Sequence, residues 1–115
     1  MKKTIILVFL CFLLSISTLA YAHQPQKIEI KYYANTKMLQ AVIFHDTSSP
    51  ERHFIRTVIL WLHGKEMLRH VLSAQDNNIS QTVTYLLPDL KNGDIITLEA
   101  DCSVNGRLDK EIIIE

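Results

Sequence analysis

Cysteine is scarce in this chain: two occur in 115 residues, Cys11 and Cys102, in segments of opposite character. That leaves no disulfide framework to staple a fold and no dithiol to relay electrons. A basic excess is missing as well. Twelve Lys and Arg balance twelve Asp and Glu with no basic run, which argues against nucleic acid or anionic lipid as a partner. There is no nucleophile elbow, no phosphate-binding glycine loop, no internal repeat and no low-complexity tract. Beyond residue 22 no apolar run approaches the roughly 20 residues of a membrane span.

The apolar residues of the opening segment have a different meaning. Lys2 and Lys3 form a positive start, Thr4 to Ser17 a largely apolar stretch, and Ala20-Tyr21-Ala22 a small-residue cleavage signal. Residues 1–22 are therefore expected to be a signal peptide, with export to the periplasm or the extracellular space and a single mature domain over residues 23–115. Cleavage would remove Cys11, which lies too early for a lipoprotein cysteine. It would also lower the formal charge to −2 by the loss of Lys2 and Lys3, and leave His23 at the new N-terminus.

The mature part reads as strands. Lys27 to Tyr33 alternates Ile28, Ile30 and Tyr32 against Lys27, Glu29 and Lys31, the period of a half-buried strand. Met38 to His45 and His53 to Leu62 are apolar on both faces, which suits central positions, and the loop between them carries Pro50. His63-Gly64 predicts a two-residue hairpin turn, since glycine accepts the positive φ that such turns require. Lys65 to Ala74 then returns as a strand, with a helix as its rival because Glu66, Met67, Leu68 and Arg69 are good helix formers. Polar turns at 75–78, 88–94 and 105–106 separate Ile79 to Leu87, Ile95 to Cys102 and Leu108 to Ile114. About seven short strands with such punctuation predict an all-β, immunoglobulin-like Greek-key β-sandwich.

The residues able to carry chemistry are His23, His45, His53, His63, His70 and Cys102. A lone thiol in an exported chain is a small buried apolar residue, a partner for another chain, or a metal ligand. The strand pattern places His45 at the end of the second strand, His53 at the start of the third and Cys102 at the end of the sixth. With alternating strand directions these three meet at one rim, and His23 precedes the first strand. His63 in a turn and His70 on a strand read as surface residues, Asn105 as a turn residue before Gly106, and Trp61 as packing or an exposed edge.

The run His45-x7-His53-Phe54-Ile55, followed by Gly93-Asp94 and Cys102-Ser103-Val104-Asn105-Gly106, resembles the iron domain of the superoxide reductases, the neelaredoxin and desulfoferrodoxin family. His23-Gln24-Pro25 resembles that family's first ligand stretch, so the likeness spans nearly all of residues 23–115. It implies an immunoglobulin-like sandwich holding one iron by four histidines in a plane and an axial cysteine. Carried over, His23, His45 and His53 correspond to three of the histidines and Cys102 to the axial thiolate. Asn105 stands where the fourth histidine belongs, the loop between His45 and His53 is two residues longer, Asp46 replaces a proline, and the lysine that precedes the first histidine is missing.

The resemblance implies reduction of superoxide to peroxide with an external electron donor, weakened or lost where the ligand set is incomplete. An amide oxygen is a poorer donor than imidazole for Fe(II). Two other readings stand beside it. The α-amine and ring of a terminal His23 can chelate copper, which would make the protein a periplasmic copper or iron carrier. Alternatively, the sandwich binds another protein and no metal.

Overall fold

The structure is a computed structural model, described here for residues 24–115; the expected signal segment, Cys11 and His23 lie outside the described residues. Its strands are β1 (Lys27–Tyr33), β2 (Met38–Phe44), β3 (Ile55–Leu62), β4 (Lys65–Val71), β5 (Ser80–Leu86), β6 (Ile95–Cys102) and β7 (Arg107–Ile113). They form two antiparallel sheets, β1-β2-β5 and β4-β3-β6-β7, packed as an immunoglobulin-like sandwich. The expected fold class holds. The strand ends differ by one to three residues, because His53 and Phe54 lie in a bend closing a turn (His53 N to Ser49 O, 2.8 Å) and β4 stops at Val71, three short of Ala74.

Alternation fixes what faces inward. Leu39, Ala41 and Ile43 of β2 meet Val58 and Leu60 of β3 and Ile96, Leu98 and Ala100 of β6, all fully buried. Burying a side chain of this kind contributes about 1.5–3 kcal/mol. The segment after Gly64 is a strand and not a helix because the turn forces a hairpin: both His63 (φ 49°) and Gly64 (φ 79°) take positive φ, and Leu62 pairs with Lys65. His70 is not the surface residue its pattern suggested. A bulge at Met67 leaves His70 opposite the core residue Val58, and its Nδ1 lies 2.8 Å from the Tyr85 hydroxyl across the sheet gap.

His63 is exposed, as expected, and its Nε2 lies 2.9 Å from Asp94 Oδ1. The Lys91 N–H, followed by the His63 ring, holds the Asp94 carboxyl below the usual carboxylate range. A depressed carboxylate stabilises the fold above its unfolded value, and that contribution is lost as the pH falls through the folded value. Asp94→Asn should therefore lower stability near neutrality and flatten the acid limb below about pH 4, where the two proteins converge, as read by urea melts across pH. An unchanged acid limb would show that this contact contributes nothing.

Candidate metal centre

Three strand ends build the site. His45 directly follows β2 and keeps the inward parity of Leu39, Ala41 and Ile43; it is only 1% exposed. Cys102 closes β6 on the inward parity of Ile96, Leu98 and Ala100 and is 9% exposed. His53 needs an irregularity to join them. The β3–β6 register slips between Ile55 and Thr57, so Arg56 is an extra residue, and Ile55 pairs with Cys102 on the inner side while Thr57 pairs with Asp101 on the outer. His53, two residues before Ile55, thereby shares its inward parity; unbroken alternation from Val58 and Leu60 would have turned it outward. Mutual bonds, Ser103 N to Phe54 O (2.8 Å) and Phe54 N to Ser103 Oγ (3.1 Å), extend the pairing to the residue after His53.

The donor atoms of His45, His53 and Cys102 all lie within 4.8 Å of one another. His53 Nε2 is 3.0 Å from Cys102 Sγ, and the two rings meet edge to face at 87° with centroids 4.7 Å apart. These distances test the fit of a first-row metal. With metal–sulfur and metal–nitrogen bonds of about 2.3 and 2.1 Å, ligands at a right angle stand about 3.1 Å apart and tetrahedral ones about 3.6 Å. The observed separation, that of a hydrogen bond between ring and thiol, is also short enough for the two donors to share one ion. One sulfur and two imidazoles suit iron, copper or zinc by donor type.

The sulfur sits in a turn shaped to hold it. Cys102 N donates to Gly106 O (2.9 Å), and the Val104 N–H donates to Sγ (3.4 Å). Gly106 has φ 93°, and a Cβ there would lie 2.7 Å from Gln24 N and 2.9 Å from its Cα. Glycine is thus required twice, for the turn and for the close approach of the entering chain. That chain is tied to the other side of the site as well. Gln26 N donates to Phe44 O (2.8 Å), Asp46 N donates to Gln26 Oε1 (3.2 Å), and Pro25 between them is buried.

Gln75 was read from sequence only as part of a polar turn, yet it is buried and fully bonded. Its Oε1 lies 2.8 Å from His45 Nδ1 and accepts from Ile55 N (3.2 Å), while its Nε2 donates to His45 O (2.7 Å) and Asn77 O (2.9 Å). Nothing in the local composition singles it out from Asp76, Asn77 and Asn78. The expected trio His45, His53 and Cys102 is brought together, whereas His63 and His70 lie elsewhere and Asn105 is exposed on the turn. His23 lies outside the described residues. The concavity lined by Leu62, Met67, Leu86 and Leu87 is at the opposite end of the sandwich.

Fold and site together define an immunoglobulin-like β-sandwich with a two-histidine, one-cysteine group at one rim. Among solved structures it is similar to the superoxide reductase (neelaredoxin) from Ignicoccus hospitalis, with a TM-score of 0.45 and 17% identity over 79% of this chain and 82% of that one. Two variants of the same protein match with TM-scores of 0.44 and 0.45, also at 17% identity. No family model matches the chain, and no curated protein matches it by sequence.

Proposed function

We propose that this is an exported protein that binds one iron through His45, His53 and Cys102, with His23 as a further ligand, and reduces superoxide to peroxide at a modest rate. The observation that carries the reading is the 3.0 Å contact of His53 Nε2 with Cys102 Sγ, beside the buried His45. The histidine and cysteine motifs that resemble the superoxide reductases support it independently. For His23 the support is the motif His23-Gln24-Pro25 together with the described chain that follows it: Gln24 lies against Gly106, and Gln26 bonds Phe44 and Asp46.

Iron so held supplies a reversible one-electron couple and a cationic centre for a small anionic oxidant. The chain's own part is to keep that centre anchored and partly dry. Cys102 would supply a sulfur donor at the rim of the apolar core, and the Val104 N–H points at that sulfur. One electron and two protons convert superoxide to hydrogen peroxide. A mature chain with a single cysteine stores no second electron, so an external reductant supplies one per turnover. Asn105 in the place of a fourth histidine, and no lysine ahead of His23, account for the modest rate.

Residues 23–115, prepared with a free His23 amine and loaded anaerobically with Fe(II), should retain about one iron per chain. They should also consume superoxide without evolving oxygen. Absence of bound metal at neutral pH would overturn the reading. Tight copper binding that retention of Ala22 abolishes and Cys102→Ser spares would instead favour the terminal-histidine carrier.

A further inference from the structure

We infer that Gln75 is a positioning residue for this centre: its side-chain amide sets the tautomer and ring orientation with which His45 presents a nitrogen to the metal. The inference rests on the metal reading above, but the hydrogen bonds that carry it belong to the protein alone. Two carbonyls, His45 O and Asn77 O, lie within 2.9 Å of Gln75 Nε2, and a carbonyl can only accept. The opposite end of the amide receives the Ile55 N–H, which can only donate. These three partners leave a single orientation for the amide, with oxygen toward His45 Nδ1 at 2.8 Å. An amide oxygen in that position requires the hydrogen on Nδ1, which in the neutral ring places the lone pair on Nε2, the nitrogen that would bind a metal.

The same amide grips the backbone on both sides of the site. It holds the carbonyl of His45 itself and the N–H of Ile55, the residue paired with Cys102. Gln75 N in turn donates to Pro50 O (2.9 Å), anchoring the loop that joins His45 to His53. Ring, strand end and loop are therefore registered by one residue, 6% exposed, whose side chain holds the first two and whose backbone N–H holds the third. Partners of this kind orient metal-bound imidazoles, and their removal commonly weakens metal binding about 10–100-fold.

The test compares Gln75→Leu, which removes the acceptor, with Gln75→Glu, which keeps an acceptor oxygen for Nδ1 and Ile55 N while losing both donors. Gln75→Met, of matching length, replaces the leucine variant if that does not fold, and Leu98→Val serves as a destabilised control away from the site. Long-range proton–nitrogen correlation spectra of the metal-free proteins should show His45 protonated at Nδ1 in the wild type and in Gln75→Glu, and mixed or shifted to Nε2–H in Gln75→Leu. Chelator competition with Fe(II) should show affinity about 10–100-fold weaker for Gln75→Leu, distinctly less weakened for Gln75→Glu, which keeps the acceptor for Nδ1 but loses the bonds to His45 O and Asn77 O, and within about 3-fold of wild type for Leu98→Val. A folded Gln75→Leu or Gln75→Met that keeps the Nδ1–H tautomer and the wild-type affinity would overturn the inference. So would equal weakening in Gln75→Leu and Gln75→Glu, the mark of a purely structural role. If the wild type takes up no metal, the metal reading fails by itself, and the tautomer comparison still decides whether Gln75 sets the ring.

Discussion

Cys102→Ser should leave the sandwich folded and remove its metal. The residue is 9% exposed at the end of a paired strand, and serine keeps the backbone bond to Gly106 O while shrinking the side chain slightly. A loss of about 1 kcal/mol in stability is the ordinary scale for such a change. Affinity for iron should fall far more, by about 100-fold or beyond, because a serine hydroxyl stays protonated near neutral pH and the anionic sulfur donor is gone. Oxidised iron-loaded protein should also lose the visible sulfur-to-iron charge-transfer absorption. If Cys102 were a space-filling thiol, the variant would cost stability alone and metal content would be unchanged. Melting curves and metal analysis on one preparation separate the two cases.

The second large effect is expected at Gly106, through strain and through the arm that lies on it. Gly106→Ala must hold a left-handed φ of 93° and place a Cβ 2.7 Å from Gln24 N, so either the Cys102 turn or the entering chain has to move. Positive φ in a non-glycine residue costs about 1–3 kcal/mol, and the displaced arm adds to it. Gly64→Ala is the matched control: its φ of 79° is also left-handed, but nothing lies within 4 Å of the added Cβ. Gly64→Ala should lower Tm by about 5 °C, the scale of 1 kcal/mol in a domain this size. Gly106→Ala should lower it about twice as far and also weaken iron binding. Equal losses, with metal affinity intact in both, would show that the approach of Gln24 to the turn does not matter to the site.

How much of this could be read from the residues follows from the range over which each feature is encoded. The alternation of Ile28, Ile30 and Tyr32, the inward run Leu39, Ala41 and Ile43, and the His63-Gly64 turn are all local, and β1 to β7 were placed within a few residues. His45 and Cys102 follow from the same logic, since each extends an inward-facing row by one step. The sequence pattern puts His53 at the right rim for an incomplete reason: it starts the strand there, whereas the extra Arg56 is what turns His53 inward. A bulge is the outcome of register between β3 and β6 and leaves little mark in either segment. Gln75 was passed over because its partners, His45 and Ile55, are 30 and 20 positions away in the chain. Side-chain bonds over such distances have no period to betray them. His70 was misplaced for a related reason, since the bulge at Met67 that brings it opposite Val58 is likewise a matter of pairing.

The proposed centre requires sulfur and imidazole from separate strands to close on one ion. X-ray absorption at the iron edge of the loaded protein, residues 23–115, measures that directly. The expected spectrum contains one sulfur neighbour at about 2.3–2.4 Å, a distance of the metal–thiolate kind, with nitrogen or oxygen neighbours completing five or six positions. A shell of nitrogen and oxygen alone, or a spectrum unchanged by Cys102→Ser, would contradict it.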